Sequence, residues 1–426
     1  MRRISRRVFA LLPIVALFAV GLSILAVQYG VNGPAWATNR ANLHIYTRGA
    51  ITRAGTIYDR NGLILAHTVD GQRVMPGGAN LRRATLHAVG DPQGFVAAGA
   101  HTTFRTNLVG YNRAGGLFSL IATGQGNDVH LSIDAQLNQL AFELLRGRPG
   151  TVGLMNYETG QVLAMVSSPN YDPLNKPANI ANNPAFDGVY LNRLLHGLYV
   201  PGSTFKVITA FGALDLPNIA QRQFNCTGRF ATGEGYVTCP RPHGQVNFQQ
   251  AMAESCNGMF AQLALEIGND NLIAAAETLG FNRRIMPLVA SRYPAVTRDR
   301  MALGWAGIGQ HTTLANPAHM MVIMGAIANG GRGMTPQLTR GASASTALRI
   351  QPAAANSLRN ILLASVDNPH MGGKTGTAQV EDGRPHAWFV GFSAQRPYAV
   401  VVVVENGGGG GAQALPIAQR MLEAVH

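Results

Sequence analysis

The sequence nearly lacks lysine. Of its 34 basic residues only three, Lys176, Lys206 and Lys374, are lysines, and the other 31 are arginines. Carboxylates are also few, 21 in all, so the formal net charge is +13. Three cysteines in 426 residues exclude a disulfide-dense small scaffold. Basic clusters interleaved with aromatics are missing, since the arginines are spread from Arg2 to Arg420, and this disfavours a nucleic-acid reader. No internal repeat is present. A basic chain of this kind suits work beside an anionic surface, such as a membrane face or an acidic polymer. Its length leaves room for a sizeable core plus an accessory module.

One long apolar run stands out. Arg2, Arg3, Arg6 and Arg7 precede Val8–Tyr29, 22 residues without a charge, close to the ~20 needed to cross a bilayer as a helix. Arginines before the run and none just after it predict residues 1–7 in the cytoplasm and the remainder outside. Ala35-Trp36-Ala37 has the small-x-small form of a cleavage site. The apolar core of a signal peptide usually runs only ~7–15 residues, however, which favours an uncleaved anchor over 8–29. Either way the bulk of the chain is exported, and a DNA-binding role is disfavoured.

Beyond the anchor, Asp59–Gly62 makes a turn between two apolar runs, a hairpin signal. Residues 70–128 carry short apolar runs and no long helical period, and with 30–69 they read as a small, mainly extended module. The texture changes at Val129–Leu145, where a short strand runs into a helix with Leu137, Leu140, Ala141 and Leu144 on one face. Thr151–Ser168 reads as a hairpin about Glu-Thr-Gly, and His386–Ser393 and Tyr398–Asn406 as strands. Glycines 407–411 form a loop, and Ala414–Val425 an amphipathic helix. Strands at both ends with helices between predict an α+β or α/β domain over 129–426, whose terminal segments share one antiparallel sheet flanked by helices.

The lysines mark the chemistry. Arginine stays protonated in proteins, whereas a desolvated lysine can be neutral near pH 7. Pro201-Gly202 precedes an apolar helical run, which puts Ser203 at a helix start and Lys206 on the same face one turn on. A neutral amine beside a hydroxyl can take its proton and make serine a nucleophile. The helix N-terminus offers N–H groups to a developing oxyanion. Alone, S-x-x-K recurs by chance, as a capping serine followed by a surface lysine. Two further motifs give it company. Ser255 and Asn257 form S-x-N in ESCNGMF, a pair that by itself would read as helix capping. Lys374-Thr375-Gly376, flanked by glycine and followed by Thr377, fits a strand edge approached closely by a ligand. Lys176 reads as a solvated loop residue.

The set S-x-x-K, S-x-N and K-T-G, in that order, is the signature of penicillin-binding proteins and related β-lactamases. With the anchor and the segment Arg53–Ala66, the chain resembles a class B penicillin-binding protein, a membrane-anchored peptidoglycan D,D-transpeptidase. Ala54 and Thr56 interrupt the usual Arg-Gly before Ile57-Tyr58-Asp59-Arg60, and 30–128 is short for the family's pedestal or dimerisation-like module. The resemblance implies a serine β-lactamase-like transpeptidase fold and a reaction that needs no cofactor. Ser203 is then the nucleophile, Lys206 its base, Ser255 a proton relay tuned by Lys374, and Asn257 the holder of Lys206. Thr375 binds the substrate carboxylate beside Gly376, and the backbone N–H groups of Ser203 and Thr377 form the oxyanion hole. The implied partners are peptidoglycan stem peptides, β-lactams, the cytoplasmic membrane and a membrane glycan polymerase, with no nucleic acid. The competing readings are a serine β-lactamase or β-lactam sensor, whose second motif is usually S-x-V, and a catalytically silent wall scaffold.

The cysteines leave two readings open. One is a Cys226–Cys239 disulfide with Cys256 as a small buried residue. The other adds His243, giving C-x12-C-x3-H-x12-C, a Cys3His set with the ligand number and type of a structural zinc site.

Overall fold

The computed structural model describes residues 2–425 except 40, 48–49, 118–119, 121–125, 234, 286, 294–298 and 382. Its N-terminal helix, Arg2–Ala37, contains a stretch, Leu11–Ala37, long and apolar enough to cross a membrane, its most apolar 18 residues having a mean hydropathy of 2.4. None of those 18 residues is buried against the rest of the chain. The side chains of Arg2, Arg3, Arg6 and Arg7 lie outside the described residues.

The C-terminal part, from 129 on, is organised by one five-stranded sheet. Its strands are β1 (Gly150–Asn156), β2 (Val162–Ser168), β3 (Met371–Ala378), β4 (His386–Ser393) and β5 (Tyr398–Val404). The spatial order is β3-β4-β5-β1-β2, antiparallel throughout. The expected sharing of one sheet by the two ends of the domain is therefore observed, with Val400 of β5 opposite Leu154 of β1. β5 is a run of valines, not an apolar/polar alternation, because both sheet faces are covered. Val400, Val402 and Val404 pack with helices Ala135–Leu145 and Leu415–Glu423, while Val401 and Val403 face the core built on Pro317–Ala328. Burying each such valine contributes roughly 1.5–3 kcal/mol.

Helix starts follow local chemistry. Asp134 caps Ala135–Leu145 by accepting from the N–H groups of Gln136 and Leu137. Asn316 caps Pro317–Ala328, whose first residue is a proline that needs no hydrogen-bond acceptor. Eleven of that helix's twelve residues are buried, so it is apolar all round and forms the middle of the molecule.

The predicted hairpin at Asp59–Gly62 joins Ile57–Tyr58 to Ile64–Val69, and the buried Asp59 carboxylate accepts from the N–H groups of Asn61 and Leu63. A parallel pairing of Ile57–Tyr58 with Val129–His130 ties this small sheet to the start of the C-terminal part. The extended reading of 70–128 needs correction, because Ala79–Val89 is an eleven-residue helix. It packs on Ala135–Leu145 and β2, and its Leu86 joins a small separate cluster with Val96, Tyr171, Ile180 and Val189. Ile57 and Val89 belong to the same apolar cluster as Phe205 and Phe260, so the core is continuous across the boundary expected at 128/129.

Candidate active site

Ser203 lies in a tight 3-10 turn, Gly202–Phe205, that runs directly into the helix Lys206–Ala213. The turn needs glycine. Gly202 has φ +53°, and a Cβ there would stand 2.8 Å from the Thr377 carbonyl oxygen. The backbone before Ser203 is thus pressed against β3. Gly376 makes the reciprocal approach, since its Cβ would lie 2.9 Å from Pro201 O.

Lys206 is wholly buried. Its ammonium donates to the Ser255 carbonyl at 2.5 Å, to Ser255 Oγ at 3.1 Å and to Asn257 Oδ1 at 2.6 Å. The side chain is fixed by polar groups that carry no charge. Burial is the largest cause holding its pKa well below the ordinary lysine value, and the nearby charge of Lys374 pushes the same way. That is what the scarcity of lysine anticipated: an arginine here would stay charged.

Ser255 has φ +53°, an uncommon backbone for a residue with a side chain. It links the end of helix Phe248–Ala253 to the start of helix Asn257–Ile267, where Cys256 is the cap. Asn257 is fixed at both ends of its amide, since Nδ2 donates to Thr238 O at 2.7 Å while Oδ1 accepts from Lys206. The capping alternative for the pair is therefore wrong in detail. The cap is the residue between them, and both side chains of the motif hold Lys206.

β3 forms the edge of the sheet, as K-T-G suggested. Alternation along the strand sends Lys374 inward, only 2 % exposed, and leaves Thr375 and Thr377 on the cleft side. Burial brings the Lys374 amine down to about 7. Thr377 Oγ1 also accepts from Gly410 N, which anchors the glycine loop beside the strand. Ser203, Ser255, Asn257, Thr375 and Thr377 line one cleft of about 520 Å³, within the usual size range of ligand sites.

The four residues Cys226, Cys239, His243 and Cys256 converge beside this cleft, which Cys239 and His243 also line, all ligand atoms within 4.8 Å of one another. The three thiols are free. Cys226 and Cys239 sulfurs lie 3.6 Å apart, Cys239 and Cys256 sulfurs 3.9 Å, and Cys226 Sγ is 3.3 Å from His243 Nδ1. Of the two readings left open, the Cys226–Cys239 disulfide is not formed in this structure. Cys239 is drawn down to about 5, chiefly by its hydrogen bond with Cys256 and further by the N–H of Gly258.

The sequence matches the family model described as the penicillin binding protein transpeptidase domain over residues 150–423. The chain belongs to that family. It is a class B penicillin-binding protein. A 327-residue stretch is 32% identical to the peptidoglycan D,D-transpeptidase PbpA of Mycolicibacterium smegmatis, covering 65% of this chain and 67% of that one. The Mycobacterium tuberculosis PbpA is 32% identical over 358 residues, 70% of this chain and 72% of the relative. The solved ceftriaxone acyl-enzyme complex of penicillin-binding protein A from M. tuberculosis superposes with a TM-score of 0.79 at 26% identity, covering 88% of this chain and 98% of that one.

In this penicillin-binding protein the cleft also holds residues that the motifs did not reveal. Trp305 and Gln310 come from the helix Arg300–Gly307 and the turn after it, and Gln379 extends the β3 edge. Arg241 and Glu254 form an ion pair at the mouth. Nothing local in the sequence marks any of these. Lys176 departs from the solvated-loop reading: its ammonium sits 3.3 Å from the Phe95 ring centroid and 5.1 Å from that of Tyr190. The aromatic faces hold the cation, which clips the 171–190 segment to the N-terminal region.

Proposed function

We propose that this protein cross-links peptidoglycan as a D,D-transpeptidase through an acyl-enzyme on Ser203. One observation carries the reading. A wholly buried lysine, one helical turn from Ser203, is held by Ser255 and Asn257 in a cleft whose opposite wall is the Lys374–Thr377 strand. The neutral Lys206 amine takes the Ser203 hydroxyl proton as Oγ attacks the carbonyl of the penultimate D-alanine. The peptide bond to the terminal D-alanine breaks, and its nitrogen receives a proton by way of Ser255. An ester on Ser203 remains, with the oxyanion of each tetrahedral intermediate directed to the N–H groups of Ser203 and Thr377. The close packing of Gly202 on Thr377 supports that pairing. Thr375 and the charge of Lys374 receive the substrate carboxylate. An amine from a second stem then displaces Ser203. A β-lactam acylates the same oxygen, but its leaving nitrogen stays tethered.

The test is incubation with a pentapeptide stem ending in D-Ala-D-Ala and an amine-bearing acceptor stem. The reading expects D-alanine release with formation of the cross-linked peptide, both lost in Ser203→Ala. Release of D-alanine with water as the only acceptor would reduce the activity to a D,D-carboxypeptidase. Fast turnover of nitrocefin would favour the β-lactamase.

The cysteine cluster extends the proposal. A zinc ion held by Cys226, Cys239, His243 and Cys256 is supported by the spacings. At ~2.3 Å per Zn–S bond a tetrahedron has sulfur–sulfur edges of ~3.8 Å, and the observed separations are 3.6 and 3.9 Å. A disulfide would need ~2.05 Å. Such an ion would be structural, tying the loop 226–243 to the Ser255–Asn257 turn, with no part in the bond changes. The N-terminal helix, with its arginines before the apolar run, supports residues 1–7 in the cytoplasm and the catalytic half outside. Residues 30–128 then stand the domain off the membrane, and a membrane glycan polymerase supplies the strands.

A further inference from the structure

The cleft has two walls, and the donor stem accounts for only one. The β3 edge, with Thr375 and Thr377, suits an extended peptide carrying the scissile bond. The other wall is formed by Thr238, Pro240, Arg241, His243, Glu254 and Ser255. Among the described residues lining the cleft, Glu254 is the only carboxylate, in a chain that has few. Its position is unfavourable for folding. Glu254 caps the C-terminus of helix Phe248–Ala253, where the helix dipole disfavours negative charge. It directly precedes Ser255, whose backbone is left-handed. Arg241 reaches it at 2.5 Å, with side chains 66% and 45% exposed, so the pair is open to exchange with an incoming ligand. Arg241 is itself anchored, because its loop runs between Cys239 and His243, both within the cysteine cluster.

We propose that Glu254 and Arg241 form the acceptor subsite, a receptor for an amine and a carboxylate borne on one carbon atom. The acceptor is thus a diamino-dicarboxylic residue and not a plain alkylamine such as a lysine side chain. This rests on the transpeptidase reading above. The bound ammonium lies against Glu254 and its carboxylate against Arg241, each replacing the other's partner in the resting ion pair. For transfer, the ammonium first loses one proton to solvent. The neutral amine then attacks the ester carbon. A C–N bond forms as the C–Oγ bond breaks, and the second proton returns to Ser203 Oγ through Lys206.

The experiment uses the full chain in detergent, acylated by a depsipeptide donor ending in D-Ala-D-lactate. It measures the ratio of cross-linked to hydrolysed product per acyl-enzyme formed, so a loss of acylation cannot imitate the effect. Two acceptor stems are compared, one with meso-diaminopimelate and one with L-lysine at the third position. The proposal expects the wild type to favour the diaminopimelate acceptor at least tenfold, and Glu254→Gln and Arg241→Gln each to erase that preference. The exchanged pair Arg241→Glu with Glu254→Arg keeps an ion pair but reverses its polarity, and it should not restore the preference. Rescue by the exchange would reveal a merely structural ion pair and overturn the subsite, as would a wild type indifferent to the two acceptors. Absence of any acyl-enzyme in the wild type would instead overturn the transpeptidase reading, and the subsite with it.

Discussion

Lys206 Nζ lies 2.6 Å from Asn257 Oδ1 and 3.1 Å from Ser255 Oγ, in a position with no solvent exposure. The three groups come from two segments 49 to 51 residues apart and meet only because helices Lys206–Ala213 and Asn257–Ile267 pack together. A buried amine held by neutral acceptors can lose its proton near neutral pH, whereas a carboxylate partner would hold the proton on. The chemistry of the site depends on that difference.

The first prediction concerns pH. On the proposed mechanism, acylation requires neutral Lys206 and, for a carboxylate-bearing ligand, charged Lys374. Burial lowers both amines, and the Lys374 charge pushes Lys206 further the same way. The second-order rate of acylation by penicillin G should fall on the acid side as Lys206 gains a proton. It should fall again as pH rises through about 7, where Lys374 loses its charge. Lys374→Arg, charged throughout, should remove the alkaline limb. A stopped-flow pH profile of the two proteins checks this.

Gly202→Ala should impair acylation more than folding. The substitution puts a Cβ at φ +53° and 2.8 Å from a β3 carbonyl. The left-handed backbone alone costs roughly 1–2 kcal/mol, and relief of the contact must move Ser203. A tenfold or greater loss of acylation rate, with a cooperative melt retained, is the expected outcome in parallel kinetic and thermal measurements.

The cysteine cluster gives a compositional test. Protein made with zinc available should carry about one zinc per chain, reduced in Cys256→Ser together with the acylation rate, because Cys256 sits between Ser255 and Asn257. Metal analysis by mass spectrometry checks it. Zinc-free wild-type protein would contradict the assignment.

Glu405→Gln should destabilise the fold by roughly 1–3 kcal/mol, below the range for a fully buried ion pair because the Glu405 side chain is 22% exposed. Arg193 Nε at 2.7 Å and the Tyr199 hydroxyl at 2.8 Å both donate to Glu405 Oε1, and the Arg193 side chain is 5% exposed. Urea denaturation of the variant against the wild type measures the difference.

The candidate site residues were legible because each must be a particular chemical type at a fixed local spacing. Ser203 and Lys206 share a helix face, and Lys374 and Thr375 share a strand. The sheet was legible from the apolar runs at each end of the domain. Helix Ala79–Val89 was not, because Arg82, Arg83, Thr85 and His87 interrupt its apolar pattern. His87 and Thr85 are nonetheless buried, the former with its Nε2 2.9 Å from Val189 O. Arg193 and Glu405 are 212 residues apart, and no local pattern announces a pair at that distance. The Arg241–Glu254 pair was missed for a related reason. Its meaning lies in which cleft it borders, and only the fold decides that.

The most direct measurement is the intact mass of the protein after exposure to penicillin G, alongside Ser203→Ala and Lys206→Arg. The account predicts one stable penicilloyl adduct per wild-type chain and none on either variant, since one lacks the nucleophile and the other cannot release the proton. A folded wild-type protein that stays unmodified, or a Lys206→Arg protein that acylates as fast as the wild type, would contradict it.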